Sequence, residues 1–97
     1  MNPAASSISQ EGNTLRISGP LTVETVGTQL DITQQLATSS IIDLAQVEAV
    51  DSAAVGLLLA WLRQAQRHNV VISFQNVPDN LLSLARLYGV ADFLPVQ

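Results

Sequence analysis

The alternation of apolar and polar residues predicts four short strands along the chain. Residues 14–18 alternate between apolar and polar side chains, as expected for a strand that is buried on one face. Residues 41–44 and residues 70–74 are compact apolar runs of the kind found in strands covered on both faces of a parallel sheet. Residues 8–10 predict a further short strand at the sheet edge.

Turn-forming and linking residues define the predicted ends of these strands. Gly19 and Pro20 are expected to end the second strand, because glycine and proline together favour a turn. Residues 45–49 are expected to link the third strand to the segment that follows. Residues 92–95 are expected to form a short tail, with Phe93 packed against the domain.

Three segments carry the spacing of apolar residues that is typical of helices. The first covers residues 23–37, and the second begins after Asp51 and ends near His68. The third begins at Pro78, which suits the first turn of a helix, and ends at Gly89.

The second helical segment is the most apolar part of the chain. Residues at i, i+3, i+4 and i+7 lie on one helix face: Val55, Leu58, Leu59 and Leu62. Leu57 and Trp61, four residues apart, lie on roughly the opposite side. A helix with two apolar faces needs two packing partners. We expect one to be the sheet and the other to be a neighbouring element or another protein.

The order of these elements predicts an α/β fold in a single domain over residues 1–97, with residues 1–6 disordered. Right-handed crossovers between parallel strands would place the helices mainly on one face of the sheet. We therefore expect a mixed sheet of about four to five strands with about three helices.

Composition and charge narrow the functional class. The net charge is −4 with four basic residues, which leaves no electrostatic surface for nucleic acid or anionic lipid. The absence of cysteine excludes disulfides and thiolate metal sites. Residues 1–7 lack the features of a signal peptide, and the apolar run at residues 53–62 is too short to span a bilayer. We expect a cytoplasmic domain that does not insert into membranes.

The sequence predicts no enzyme activity, no cofactor and no metal site. A catalytic set of Asp51, Ser52 and His68 fails on geometry, because the intervening helix separates Ser52 from His68 by about 24 Å at 1.5 Å per residue. A lone histidine without cysteine is a poor transition-metal site. The glycines do not have the spacing of a phosphate-binding loop.

The stretch Val50-Asp51-Ser52-Ala53-Ala54-Val55-Gly56-Leu57-Leu58-Leu59 resembles the motif of STAS domains, the sulfate-transporter and anti-sigma-factor-antagonist family. In that motif a strand end is followed by Asp-Ser or Asp-Thr, small residues and an aliphatic helix. The resemblance extends from Gly12 to Pro95. The segments at residues 12–19 and 84–90 are most similar to the small STAS subunits of Mla-type ABC transporters, which move phospholipids between the membranes of Gram-negative bacteria.

The resemblance implies a non-enzymatic subunit that binds the cytoplasmic ATPase of such a transporter and is held at the inner membrane through that partner. Ser52 is a departure, because the transporter branch usually has threonine there. Serine is common in anti-sigma-factor antagonists, where a partner kinase phosphorylates it. The alternative is therefore an antagonist that binds an anti-sigma factor and is controlled by phosphorylation of Ser52. Ala54, where many antagonists have glycine, counts against that alternative.

The candidate partner-binding residues lie at the start and along one side of the second helix: Asp51, Ser52, Ala53, Leu57 and Trp61. Either Asp51 or Ser52 can cap the helix N-terminus, a contribution of about 1 kcal/mol. Leu57 and Trp61 are expected to form an exposed anchor, since tryptophan is enriched at interface hot spots. The other interpretation is that both pack beneath the first or third helix.

Overall fold

The computed structural model describes residues 7–22 and 39–96. The predicted helix over residues 23–37 and the predicted disorder of residues 1–6 both lie outside the described residues. No helix in the described ranges is long and apolar enough to cross a membrane.

Within the described ranges, the strands form one sheet in the order β1-β2-β3-β4. Strand β1 (Ser7–Glu11) pairs antiparallel with β2 (Thr14–Leu21). Strand β3 (Ser39–Val50) lies parallel to β2 on one side and parallel to β4 (Val71–Gln75) on the other. The predicted mixed sheet is therefore confirmed.

Two of the predicted strand ends are wrong. Strand β2 continues through Gly19 and Pro20 to Leu21, with irregular register on either side of Gly19. Gly19 has a φ of 89°. The strand is therefore locally irregular at Gly19 and Pro20, but the chain does not turn there. Residues 45–49 belong to β3, which continues to Val50 because β2 still pairs with it there.

Strand β4 pairs with residues 39–43 alone, so the C-terminal half of β3 extends beyond it. Helix α1 (Ser52–Arg67) begins directly after β3, and His68 follows its last turn. Asn69 then adopts a φ of 57°, as residues that end helices commonly do. The α1 boundaries predicted from the sequence agree with the structure.

Helix α2 (Asp79–Leu87) follows β4, with Pro78 just before its first turn. The chain leaves the helix at Gly89, which has a φ of 72°, and forms a 3-10 turn at Ala91–Phe93. The expected packing of Phe93 is wrong, since that side chain is 70% exposed and Leu94 is buried instead. The following residues return to the sheet, where the Phe74 N–H donates to the Pro95 carbonyl at 2.9 Å.

Alternate residues of the parallel strands and one stripe of each described helix form a single apolar core. The strand residues are Leu15, Ile17, Leu21, Ile42, Leu44, Ile72 and Phe74. The central helix residues are Ala54, Leu58, Trp61, Ala65, Leu81 and Ala85. Since alternate strand residues face opposite sides of a sheet, both described helices pack on the same face.

A carboxylate on the other face ties three elements together. Asp43 Oδ1 accepts hydrogen bonds from the Asn76 side-chain amide at 3.0 Å and the Ala45 N–H at 2.9 Å. Arg16 Nε lies 3.8 Å from Asp43 Oδ2. The Asn76 bond, helped by the Ala45 bond and the Arg16 charge, lowers the pKa of Asp43 although partial burial opposes this. The Asp43 carboxylate therefore links β2, β3 and the loop before α2.

We expect Asp43→Asn to destabilise the protein by about 1–2 kcal/mol at pH 7, because a charged acceptor is replaced by a neutral one. The folded-state pKa of Asp43 is depressed. Its stabilising effect is therefore complete above the ordinary carboxyl pKa of about 3.9 and lost as the pH falls through the folded-state pKa. Urea unfolding at pH 7 and at pH values below about 4 should show the difference from wild type shrinking with acidity.

Glu48→Gln is the matched control, because Glu48 is an exposed carboxylate on the same strand. It should leave stability at pH 7 nearly unchanged. A difference between Asp43→Asn and wild type that did not depend on pH would contradict the role assigned to the charge.

Candidate functional site

Asp51 and Ser52 stand where β3 ends and α1 begins, and they have different roles there. The Asp51 carboxylate accepts a hydrogen bond from the Ala53 N–H at 2.8 Å, so Asp51 is the helix cap. The Asp51 backbone is also held, since its N–H donates to the Leu21 carbonyl at 3.3 Å. Ser52 is exposed and Ala53 is half-buried. The Ser52 hydroxyl is thus presented at the surface by a fixed backbone.

A groove of about 400 Å³ opens beside Ser52. It lies between the first turns of α1 and the residues just after α2, and it is lined by Ser52, Val55, Gly56, Leu59, Tyr88 and Val90. None of these described lining residues is charged. We call this feature the Ser52 groove.

The wall formed after α2 is fixed by backbone hydrogen bonds. The Tyr88 N–H donates to the Leu84 carbonyl at 3.1 Å, and the Val90 N–H donates to the Ala85 carbonyl at 2.9 Å. Tyr88 nevertheless remains 53% exposed, and its neighbour Leu87 is 75% exposed. The chain therefore holds the Tyr88 ring at the surface on an ordered backbone, in the groove that Ser52 also lines.

Trp61 is fully buried, so the prediction that it forms an exposed anchor is wrong. Its indole belongs to the core with Ala54, Leu58 and Ala65, which lie at helical spacing from it on the same stripe. The sequence predicted two separate apolar faces on this helix. In the structure they are the two sides of one broad apolar face, and this stripe runs along its centre. Leu57, on one flank, is half-buried and packs against the core.

The remaining polar candidates are not brought together. His68 is exposed beyond the last turn of α1, at the opposite end of the helix from Ser52. Among residues 7–22 and 39–96, no three histidine, aspartate or glutamate side chains lie close enough to hold a metal ion.

The arrangement of the described elements is that of a STAS fold. The anti-sigma factor antagonist SpoIIAA, solved in its unphosphorylated form, superposes with a TM-score of 0.69 over 95% of this chain and 87% of that chain. The two sequences are 17% identical, so this likeness concerns the fold. A family model described as "Mlab, STAS domain" matches residues 4–95, and the chain belongs to this family of STAS domains.

Two curated relatives are similar over nearly their whole length. Each is an intermembrane phospholipid transport system binding protein MlaB, one from Escherichia coli (strain K12) and one from Shigella flexneri. Each is 32% identical to this chain over 88 residues, which are 89% of this chain and 91% of the relative. The resemblance to the transporter branch that the sequence analysis identified is therefore confirmed.

Ser52 starts a helix, as predicted from the sequence, but the groove beside it was not predicted. The third predicted helix was expected to end at Gly89, whereas α2 ends at Leu87 and the Tyr88 ring after it lies at the surface. One residue in the sequence did point to the groove. Gly56 interrupts a run of good helix formers, and glycine in a helix interior is unfavourable unless something requires it.

We expect Trp61→Ala to destabilise the protein by about 3–5 kcal/mol, because it leaves a large cavity in the core. Trp61→Phe should cost less, since most of the apolar volume is kept. Chemical unfolding followed by circular dichroism measures both variants. A loss below about 1 kcal/mol in Trp61→Ala would contradict the core position.

Proposed function

We propose that this protein is a non-enzymatic interaction subunit of an ABC transporter for phospholipid trafficking. In this role it binds the cytoplasmic ATPase of the transporter and supports the lipid asymmetry of the outer membrane. The names of the curated relatives, as binding proteins of an intermembrane phospholipid transport system, support the transport assignment. The site is inferred from the surface around Ser52, and the ATPase partner from the resemblance to the transporter branch.

The observation that carries the binding role is the exposed Ser52 hydroxyl at the edge of an apolar groove. Tyr88 and Val90 form one wall of this groove, and the Tyr88 ring stays exposed there. Exposed apolar side chains beside a polar group with a fixed position are typical of docking sites. The Ser52 groove therefore suits a macromolecular partner better than a small polar substrate.

The binding surface we propose comprises Asp51, Ser52, Ala53 and the half-buried Leu57, together with the rim of the Ser52 groove. Asp51 contributes a negative charge beside the hydroxyl. The cap it forms also keeps the first turn of α1 in place. Ser52 donates or accepts a hydrogen bond at the contact, and Ala53 leaves room for the partner to approach.

The proposal also specifies where the protein acts and what it does not need. The protein is cytoplasmic and held at the inner membrane by the ATPase rather than by its own insertion. It needs no cofactor or nucleic acid. Its role is to assemble and support the ATPase rather than to perform chemistry.

A second candidate function is that of an anti-sigma factor antagonist controlled by phosphorylation at Ser52. The exposure of Ser52 supports it, because a kinase can reach a hydroxyl at the surface. A phosphate there would add roughly −1.5 to −2 charge beside Asp51 and would disrupt a contact. The genes next to this one distinguish the two functions: transporter subunits in the first case, a sigma factor and an anti-sigma factor in the second.

Substitutions at Ser52 test the ATPase contact. The ATPase subunit of the transporter is purified separately, and its affinity for this protein is measured by calorimetry. Ser52→Thr keeps the hydroxyl and should keep the affinity. Ser52→Glu should weaken binding by about 2 kcal/mol or more, because a second carboxylate next to Asp51 would be buried without a partner.

Stability should change little in Ser52→Glu, because an acid near a helix N-terminus suits the helix dipole. Gln66→Glu is the control, since it adds the same charge to α1 at an exposed position near the other end. Equal affinities for wild type and Ser52→Glu would remove Ser52 from the interface. A parallel loss of binding and melting temperature would show that the residue is structural.

The purified protein alone should hydrolyse no ATP. The motivation is the exposed, isolated His68 and the absence of a phosphate-binding glycine pattern in the sequence. A phosphate-release assay measures the rate before and after successive purification steps. Turnover that survives purification and changes with a mutation in this chain would contradict the non-enzymatic role.

A further inference from the structure

The second half of β3 has a neighbouring strand on one side only. Strand β4 pairs with residues 39–43, whereas residues 45–50 pair with β2 alone within the described ranges. The row of β4 ends there because the chain turns away at Asn76, whose φ is 58° and whose side-chain amide donates to Asp43. The sheet therefore has an open edge beside residues 45–50, which we call the β3 edge.

Backbone groups along the β3 edge point away from β2 and are available for pairing. The Asp51 N–H donates to the Leu21 carbonyl of β2. Because successive residues of a strand direct their backbone groups to opposite sides, the N–H and carbonyl of Val50 point away from β2. Among the described residues, no strand other than β2 forms backbone hydrogen bonds with residues 45–50. Most side chains of the β3 edge are exposed, namely those of Ala45, Gln46, Glu48 and Ala49.

An open strand edge of this kind specifies the backbone of what binds to it. Unpaired N–H and carbonyl groups at a sheet edge are a template for another strand. A helix satisfies its own backbone hydrogen bonds and cannot supply this pairing, whereas an extended peptide can. A segment of five or six residues, about 17–20 Å long at roughly 3.3 Å per residue, would cover the β3 edge and continue the row of β4.

The side chains of the β3 edge specify the chemistry of the segment. Val47 and Val50 are half-buried and pack against the core. Glu48 is exposed and forms no ion pair with a described basic residue. Alternate side chains of a strand lie on opposite faces of the sheet. A segment with apolar residues on one face and basic residues on the other therefore complements the two valines and the free carboxylate.

A second copy of this chain does not fit that description. Arg16 is the one basic residue in the described strands, and its strand β2 is already paired on both sides. Two β3 edges placed side by side would bring two Glu48 carboxylates close together, and the net charge of −4 adds to the repulsion. A charged side chain on an open edge also opposes self-association in many sheets. The segment must come from a different protein.

We infer that the β3 edge binds an extended basic segment of a partner protein, which adds to the sheet as a strand beside β3. Val47 and Val50 contact its apolar residues, and Glu48 pairs with one of its basic residues. This surface is separate from the Ser52 groove, because no residue of the β3 edge lines that groove. The inference goes beyond the proposed function and does not depend on which protein binds at Ser52.

A synthetic peptide tests the strand pairing directly. The probe is a peptide of six residues in which arginine and valine alternate, with both ends blocked, titrated into the isotope-labelled full chain. The amide NMR signals of residues 45–50 should shift, and these amides should exchange more slowly with solvent. Two further peptides carry N-methyl groups on one or the other set of alternate amides. Only the set that faces β3 donates to it, so one methylated peptide should bind and the other should not.

Substitutions at Glu48 test the charge. Glu48→Gln should weaken binding of the arginine peptide by roughly two- to fivefold, as expected for the loss of one surface ion pair. Glu48→Arg should weaken it further and should bind a peptide in which glutamate and valine alternate. Asp92→Asn is the matched control, since it removes the same charge from an exposed position in the 3-10 turn. It should leave the affinity unchanged, and all three variants should melt like wild type.

Several results would overturn the inference. One is the absence of shifts at residues 45–50 with the peptide at millimolar concentration, and another is equal behaviour of the two methylated peptides. Shifts confined to the other sheet edges, at residues 7–11 or 71–73, or to the Ser52 groove would place the peptide elsewhere. Equal losses in Glu48→Gln and Asp92→Asn would reduce the effect to general charge attraction. Light scattering of the protein alone addresses the remaining occupant, since a dimer with protected amides at residues 45–50 would assign the edge to a second copy.

Discussion

The unequal length of two neighbouring strands determines the shape of the site. Strand β3 has 12 residues and β4 has five, so β4 covers only the first part of β3. The chain therefore reaches Val50 well beyond the end of β4 before it turns into α1. Residues 76–78 connect β4 to α2, whose C-terminal end lies beside the first turns of α1. The Ser52 groove forms at this meeting point.

The Asp43 cluster connects this architecture to the site. The loop that leads from β4 to α2 contains Asn76, whose φ of 58° is uncommon for a residue other than glycine. The hydrogen bond from its side chain to Asp43 holds the loop against the middle of β3. Since α2 follows this loop directly, the bond helps to define where Tyr88 and Val90 stand. A polar contact on one face of the sheet thus contributes to the geometry of a groove on the other.

Local patterns were sufficient to predict the element types and a capped helix start at Asp51 or Ser52, but not which of the two is the cap, nor the strand ends or the groove. Gly19 and Pro20 favour a turn locally, whereas pairing with β3 keeps them in β2. The spacing of Leu57 and Trp61 shows that they share a helix side. It does not show which side the sheet covers, since that depends on tertiary packing. The groove joins Ser52 to Tyr88, residues far apart in the sequence, and no local pattern reports on such a contact.

The division of α1 into two opposite stripes has a consequence for how this family can diversify. Ala54, Leu58, Trp61 and Ala65 serve the core, whereas Ser52, Gly56 and Arg63 face outward and make little contribution to it. Substitutions on the outward stripe can therefore accumulate without threatening the fold. Paralogous copies in one cell could acquire separate partners through a few changes there, while the scaffold stays the same. Helix α1 thus joins one side that the core constrains to another side that the core leaves free to vary.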